Sequence, residues 1–174
     1  MTTKLMPGAQ APALSLPLVG GGSWDLAAQS PDMFTMVVFY RGLHCPVCKG
    51  YIGKLDGLVD DYAAAGFSVV AASMNDEALA KQTVDEWGLT KLPVAYGLDA
   101  ETAKSWGLYL SQAINDVEAT LFCEPGTFWI RPDGSLYLID IANMPWPRPD
   151  LEFLLSKVPL IQERNYPARG TYTG

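Results

Sequence analysis

The stretch FYRGLHCPVCKGYIGKLD, residues 39–56, places two cysteines three residues apart where an apolar run changes into a helical pattern. The run that leads into it, Thr35–Tyr40, is short, apolar and rich in β-branched and aromatic residues, as is typical of a strand covered on both faces. After it, apolar side chains recur at steps of four and three residues, which is the pattern of one helical face. Those residues are Cys48, Ile52, Leu55, Val59 and Tyr62. The stretch therefore predicts a central strand and a long helix that begins at the cysteine pair.

A C-x-x-C sequence at a strand-to-helix junction has a specific chemical use. Cys45 would lie at the helix start, where unpaired backbone N–H groups and the helix dipole favour an anion. Such positions commonly lower a thiol pKa from near 8.5 to about 3.5–7.5, which supplies a nucleophile at neutral pH. Pro46 suits the first helical turn because its missing N–H would be unpaired there. Cys48, one turn further along the apolar face, can attack an intermediate at Cys45, so the pair predicts a two-thiol redox centre.

Two other interpretations of the pair remain open. Cys45 and Cys48 can be ordinary buried thiols, or they can belong to a metal site. Zinc needs four ligands, and the remaining soft candidates are His44 and Cys123. Because His44 directly precedes Cys45, the two side chains cannot easily bind the same metal ion. We therefore expect no metal and no cofactor.

Composition narrows the class of protein. A chain of 174 residues with 49% hydrophobic and 18% charged residues predicts one globular domain over residues 1–174. A net charge of −7 without a run of Lys and Arg opposes binding to nucleic acid. The three cysteines are too few, and odd in number, for a disulfide framework. No apolar block has the length of a signal peptide or a membrane span, so we expect a cytoplasmic protein without membrane contact.

The rest of the chain continues as an α/β pattern. Leu5–Leu26 is rich in Pro and Gly and predicts an extended arm or short hairpin laid on the core. Phe67–Ser73 is a second buried strand, and strand, helix, strand implies parallel pairing through a right-handed crossover. Asn75 is a good N-cap for the helix that follows, which stops at Gly88.

The C-terminal half predicts shorter elements. A short helix is expected at Asp99–Trp106. The runs TFWI and SLYLIDI flank Pro132–Gly134, a turn sequence that predicts an antiparallel hairpin. The segment NMPWPRPD, residues 143–150, is a stiff Pro-rich turn expected to wall one side of the redox site. A last helix is expected between Pro149 and Pro159.

The segment VVFYRGLHCPVCKGYIGKLD, residues 37–56, resembles the active-site segment of thioredoxin-fold redoxins, specifically the peroxiredoxin-like AhpC/TSA group with its R-G-x-x-C-P-x-C pattern. The pattern Gly8-x-x-Ala11-Pro12-x-Leu14-x-Leu16 resembles the redoxin opening, and LPVAYGLDAETAKSWGL is similar to the family segment before the last hairpin. The resemblance covers nearly the whole chain. It implies a thioredoxin-like α/β fold, with a central mixed β-sheet flanked by helices and an N-terminal redoxin extension.

The resemblance also implies an activity and its partners. It implies a thiol-dependent antioxidant oxidoreductase that acts on a peroxide or disulfide and is recycled by a thiol reductant of the thioredoxin or glutathione type. A homodimer is one candidate assembly. Pro125 matches the family's cis-proline position, which implies that Pro125 and Glu124 line Cys45. We accordingly place Gly42, Pro46, Glu124 and Pro125 at the substrate surface.

The sequence departs from the peroxiredoxin motif P-x-x-x-[TS]-x-x-C. Gly42 stands at the position of the hydroxyl that would bind a peroxide, and Val38 stands at the proline position. The family arginine near the cis-proline position is replaced by Pro125 itself. Dithiol exchange with protein or small-molecule disulfides is therefore an alternative to peroxide reduction. A non-catalytic redox-sensing or binding module is a second alternative.

Four further residues each allow two interpretations. Arg41 can pair with the thiolate or an oxidised form of it, or it can form a salt bridge with a carboxylate. His44 can act as a cation or base beside Cys45, or as a loop ring that only shapes the surface. Glu124 can accept a proton from Cys48, or it can be a solvated loop charge. Cys123 can be a resolving or glutathionylated thiol, or an inert buried one.

Overall fold

Nine strands and five α-helices follow one another along residues 4–174, the part of the chain that the computed structural model describes. The strands are β1 (Ser15–Pro17), β2 (Ser23–Asp25), β3 (Phe34–Phe39), β4 (Phe67–Ala72), β5 (Val94–Ala95), β6 (Leu110–Gln112), β7 (Leu121–Cys123), β8 (Gly126–Ile130) and β9 (Leu136–Ile141). The helices are α1 (Pro46–Ala64), α2 (Glu77–Trp87), α3 (Ala100–Ser105), α4 (Leu151–Ser156) and α5 (Val158–Arg164).

The main sheet has the strand order β5-β4-β3-β8-β9. β3 lies at its centre, parallel to β4 and antiparallel to β8, which confirms the predicted central strand and the parallel β-α-β unit. β8 and β9 form the predicted antiparallel hairpin. Phe39, the last residue of β3, lies opposite both Ala72 and Gly126. This register gathers the loops after β3, β4 and β9, and the segment before β8, at the end of the sheet where α1 begins.

Alternate side chains of β3 enter two separate hydrophobic clusters, one on each face of the sheet. Phe34, Met36 and Val38 face the first cluster, whereas Val37 and Phe39 face the second. The first cluster includes the buried residues of α1, among them Cys48, Ile52, Leu55 and Tyr62. The second includes Leu16 and Trp24 of the β1–β2 hairpin, Ala103 of α3, and Trp106, which directly follows α3. Helices therefore cover both faces, and the predicted apolar face of α1 is confirmed.

The N-terminal arm is laid on the core as predicted. β1 and β2 form a short antiparallel hairpin, and single bridges join Gln10 to Ser135 and Leu18 to Ala95. A second small hairpin, β6–β7, has no counterpart in the sequence prediction. Its strands are three residues each, too short to show a period, and a polar loop joins them.

Two predicted helix ends are wrong. Asp76, not Asn75, caps α2, because its carboxylate accepts a hydrogen bond from the Leu79 N–H at 2.9 Å. Pro159 does not end the last helix. Instead the chain turns at Lys157 and Pro159 occupies the first turn of α5, where a missing N–H costs nothing.

No helix within residues 4–174 combines the length and the apolar character needed to cross a membrane.

Candidate active site

Cys45 stands at the junction between the loop after β3 and the first turn of α1. Its backbone is extended (φ −100°, ψ 104°), and Pro46 follows as the first helical residue. The Cys45 sulfur accepts a hydrogen bond from the backbone N–H of Cys48 at 3.2 Å. The sulfur thus occupies the N-cap position, where a helix leaves backbone donors unpaired.

Gly42 shapes the loop that leads into this position. Its φ is +130°, a conformation that favours glycine, and a Cβ placed there would lie 2.7 Å from the Asn75 side-chain nitrogen. Asn75 in turn accepts a hydrogen bond from the Leu43 N–H at 2.9 Å. The Asn75 amide therefore occupies the space that a side chain at residue 42 would need. Gly42 itself is buried, whereas Pro46 is exposed beside Cys45.

The surroundings of Cys45 favour its thiolate. The pKa of Cys45 is lowered from 9.0 to about 6, chiefly by a hydrogen bond from the Cys48 thiol. Burial opposes this shift, while the Cys48 backbone N–H and the positive charges of Arg41 and Arg148 add to it. The lowered pKa favours the thiolate of Cys45, which is the form of a thiol that acts as a nucleophile.

Cys48 has the opposite character. It is fully buried in the first hydrophobic cluster, and its pKa is raised by that burial and by its hydrogen bond to Cys45. The Arg148 guanidinium opposes the rise, because its Nη2 donates a hydrogen bond to the Cys48 sulfur at 2.9 Å. The two thiols therefore share one proton, with the charge on Cys45 and the proton on Cys48.

Arg148 is a site residue that sequence reasoning missed. The segment NMPWPRPD was expected to wall the site, and it does so, but its arginine received no role. The guanidinium lies over the ring of Tyr51, 5.1 Å from its centre, and the Tyr51 hydroxyl donates to the Pro149 carbonyl at 2.8 Å. The available signal was a single arginine between two prolines, Pro147 and Pro149, in a segment expected to face the cysteines.

Arg41 forms the carboxylate pair that the sequence left open. Its Nε lies 3.2 Å from a Glu124 carboxylate oxygen, and its Nη2 lies 3.7 Å from Glu118. Glu124 is 3% exposed and also accepts a hydrogen bond from the Ser111 hydroxyl at 2.7 Å. The interpretation of Glu124 as a solvated loop charge is therefore wrong. The contacts of its carboxylate are with Arg41 and Ser111, and neither cysteine sulfur is among its hydrogen-bond partners in residues 4–174.

His44 packs its ring against Phe122, with ring centres 4.6 Å apart. Its pKa is lowered by burial and by the charge of Arg41. Both effects favour the neutral imidazole over the imidazolium. This finding favours the interpretation of His44 as a ring that shapes the loop over that of a cation.

Cys123 lies apart from the cysteine pair. It is fully buried in the second cluster, on the opposite face of the sheet from Cys48, and its thiol donates to the Tyr40 carbonyl at 3.4 Å. Burial raises the pKa of Cys123 to about 12. All three cysteines are free thiols. Within residues 4–174, no group of three His, Cys, Asp or Glu side chains is placed to hold a metal ion.

Pro125 departs from the expected backbone. No peptide bond among residues 4–174 is cis, so Pro125 lacks the cis bond that the family position implies. Glu124 donates its N–H to the Tyr109 carbonyl at 2.8 Å, and the Pro125 carbonyl accepts from the Ala142 N–H at 2.9 Å. These bonds tie the two residues between β7 and β8 to the segment before β6 and to the residue after β9. Pro125 is buried at the end of the sheet where α1 begins.

Comparison with known proteins identifies relatives. The family model described as the AhpC/TSA family matches residues 7–139. Two proteins from two strains of Mycobacterium tuberculosis, whose names provisionally call them peroxiredoxins, are 32% identical over 108 residues. That alignment covers 62% of this chain and 68% of each relative.

Solved structures resemble the fold. A mutant of peroxiredoxin 6 from Arenicola marina superposes with a TM-score of 0.76 at 15% identity, covering 93% of this chain and 76% of that one. Reduced Prx3 from Vibrio vulnificus in complex with hydrogen peroxide superposes with a TM-score of 0.73 at 15% identity, covering 89% of this chain and 99% of that one. At such identities the likeness extends to the fold, and it confirms the predicted thioredoxin-like architecture.

Proposed function

Because the chain belongs to the AhpC/TSA family, we propose that it is a thiol-dependent peroxidase that cycles Cys45 and Cys48 between dithiol and disulfide. The observation that carries the proposal is the position of the Cys45 sulfur, which accepts the Cys48 N–H at 3.2 Å at the start of α1 and is ionised near neutral pH. A thiolate is the nucleophile that attacks a peroxide. Its partner thiol lies one helical turn away.

The proposed cycle balances as follows. The Cys45 thiolate attacks the terminal peroxide oxygen, the O–O bond breaks, and the departing oxygen takes a proton to leave as an alcohol or water. Cys45 becomes a sulfenic acid. Cys48 then attacks the Cys45 sulfur, the S–O bond breaks, and water leaves with the Cys48 proton. An external thiol reductant supplies two electrons and two protons to reopen the disulfide.

Peroxide consumption is the direct test of this proposal. We expect reduced protein to consume hydrogen peroxide in stopped-flow mixing much faster than free cysteine does, and Cys45→Ser to abolish the reaction. Intact-mass analysis after one equivalent of peroxide should show a loss of about two mass units. The loss should be confined to the Cys45 and Cys48 pair, with Cys123→Ser as the matched control. Consumption no faster than free cysteine would reject the peroxidase assignment.

The partners follow from the same chemistry. We propose a peroxide as the first substrate, supported by the hydrogen peroxide complex described for the Vibrio vulnificus protein of the same fold. The electron donor is a thiol reductant of the thioredoxin or glutathione type. A homodimer and a cytoplasmic location stay predictions.

Dithiol exchange on disulfides is the second candidate function, and Gly42 favours it. The residue where the family motif has a peroxide-binding hydroxyl has no side chain here, and the Asn75 amide fills the space. Reduction of insulin disulfides with a thiol donor distinguishes the two functions. Rapid insulin reduction together with slow peroxide consumption would favour exchange, and an inactive protein in the insulin assay would count against it.

A further inference from the structure

Arg148 contacts the sulfur that would act second in the proposed cycle. Its Nη2 lies 2.9 Å from the Cys48 Sγ, and no other cationic side chain of residues 4–174 is within hydrogen-bond distance of that sulfur. It comes from the Pro-rich segment after β9 and reaches the first turn of α1 across a sequence separation of 100 residues. The contact depends on the fold, because the strand order brings the segment after β9 close to the start of α1.

The charge of Arg148 is held in place without a neutralising carboxylate. Its guanidinium lies over Tyr51, and Tyr51 is itself tied to Pro149. No Asp or Glu of residues 4–174 is within ion-pair distance of it. Arg41, by contrast, is paired with both Glu118 and Glu124. Positive charge that is desolvated and unpaired acts strongly on a neighbouring anion.

We propose that Arg148 is a catalytic residue that stabilises the thiolate of Cys48, both when Cys48 attacks the oxidised Cys45 and when it leaves the disulfide. The proposal rests on the proposed dithiol cycle. It adds a group that touches the second reacting sulfur, a role that the sequence motif around the cysteines does not contain. It also explains how a fully buried thiol ionises.

The charge on Cys45 sets the order of events. While Cys45 is a thiolate, the Cys48 proton is shared with it, since two adjacent buried anions repel one another. Once Cys45 is a neutral sulfenic acid or a mixed disulfide, the charged group facing Cys48 is Arg148. The titratable groups around Cys48 are then Arg148 and the Tyr40 hydroxyl, whose pKa of about 12 keeps it neutral. Oxidation of Cys45 thereby releases Cys48 to ionise.

The steps are balanced in both directions. In resolution, the Cys48 thiolate attacks the Cys45 sulfur, the S–S bond forms, and the group on Cys45 leaves with the electron pair of its broken bond. In reduction, an external thiolate attacks Cys45, the S–S bond breaks, and its electron pair passes to the Cys48 sulfur beside Arg148. Both sulfurs are buried, but Cys45 directly precedes the exposed Pro46 and Val47, so the external attack is assigned to Cys45.

A mixed disulfide tests the proposal without peroxide. Reaction with 5,5′-dithiobis(2-nitrobenzoate) places one thionitrobenzoate on Cys45, and attack by Cys48 releases a second, coloured thionitrobenzoate. We expect Arg148→Met to slow this second release about tenfold at pH 7 and to move its pH profile upward by about one unit. Arg148→Lys, which keeps the charge, should recover most of the rate. Arg131→Met removes an arginine stacked in the same way on Tyr137 and should leave both phases unchanged.

The outcome that overturns the proposal is a second release by Arg148→Met with the rate and pH profile of the wild type. Equal slowing by Arg148→Lys and Arg148→Met would also overturn it, because it would assign Arg148 a packing role without a charge effect. Failure of the wild type to consume peroxide would reject the peroxidase function while the thionitrobenzoate phases still report on Arg148. The two failures are therefore distinguishable.

Discussion

At the scale of single residues, the proposed chemistry depends on one sulfur, that of Cys45, whose ionisation is favoured by its neighbour Cys48. Cys45 accepts from the Cys48 backbone and from the Cys48 thiol, and these donors outweigh the effect of burial on its pKa. The same proton raises the pKa of Cys48. A small change at residue 48 therefore alters the reactivity of residue 45.

The pH dependence of Cys45 alkylation checks this assignment. Its folded pKa of about 6 lies below the ordinary value of 9.0, so the thiolate fraction rises as the pH rises through 6. We expect the iodoacetamide rate to reach half its plateau near pH 6, measured by intact mass. Cys48→Ala removes the thiol donor and should move that midpoint to higher pH. A midpoint above pH 8 in the wild type would contradict the assignment.

At the scale of elements, α1 is fixed at two places, and its N-terminus carries the cysteine pair. The first is the cysteine turn. The second is Asp56, which is 8% exposed and accepts backbone hydrogen bonds from Thr90, Lys91 and Leu92 at 3.1, 2.9 and 2.8 Å. These bonds tie the middle of α1 to the segment that enters β5. The helix is thereby held in register with the sheet edge.

Removal of the Asp56 carboxylate should therefore destabilise the fold. Asp56→Ala leaves three backbone donors unpaired in a largely buried place, and we expect a loss of about 2 kcal/mol or more in the free energy of unfolding. Asp60, one turn further along α1, pairs with Lys91 on the surface and is the matched control. Asp60→Ala should cost at most about 1 kcal/mol. Urea unfolding measures both, and equal losses would contradict the role of Asp56.

At the scale of the whole molecule, the sheet separates the thiols into two groups. Cys45 and Cys48 belong to the cluster under α1, whereas Cys123 belongs to the cluster on the other face. No side-chain motion within a packed sheet brings a thiol from one face to the other. Cys123 is therefore placed outside the proposed cycle.

Thiol counting checks this separation. In native buffer we expect a thiol reagent to modify Cys45 rapidly, because its pKa is about 6 and it adjoins the exposed Pro46. Cys123 should react only through opening of the fold, because it is fully buried and its pKa is near 12. Peptide mapping after timed labelling should show Cys123 reacting at the rate of opening, and faster in mild urea. Rapid labelling of Cys123 in native buffer would contradict the buried position.

Much of this fold could be predicted from the sequence, because β3 is a nearly continuous apolar run and α1 has apolar residues at helical spacing. The features that sequence reasoning missed depend on distant partners. Arg148 meets Cys48 across 100 residues, and the burial of Glu124 depends on Arg41, which precedes it by a long stretch of chain. β6 and β7 were not predicted, because a strand of three residues is too short to show alternation of apolar and polar residues. Local sequence patterns predict helices and strands, whereas the contacts of the site depend on residues that are distant in sequence.

The contact between Gly42 and Asn75 makes two positions interdependent. The φ of Gly42 is +130°, so a residue with a hydroxyl at position 42 would need a different backbone conformation. Its Cβ would also lie only 2.7 Å from the nearest atom of the Asn75 amide, which is too close. Replacement of Gly42 alone is blocked by the Asn75 carboxamide. Replacement of Asn75 alone removes the acceptor for the Leu43 N–H. A chain with Thr or Ser at position 42 therefore requires substitutions at both residue 42 and residue 75, and each substitution is unfavourable by itself.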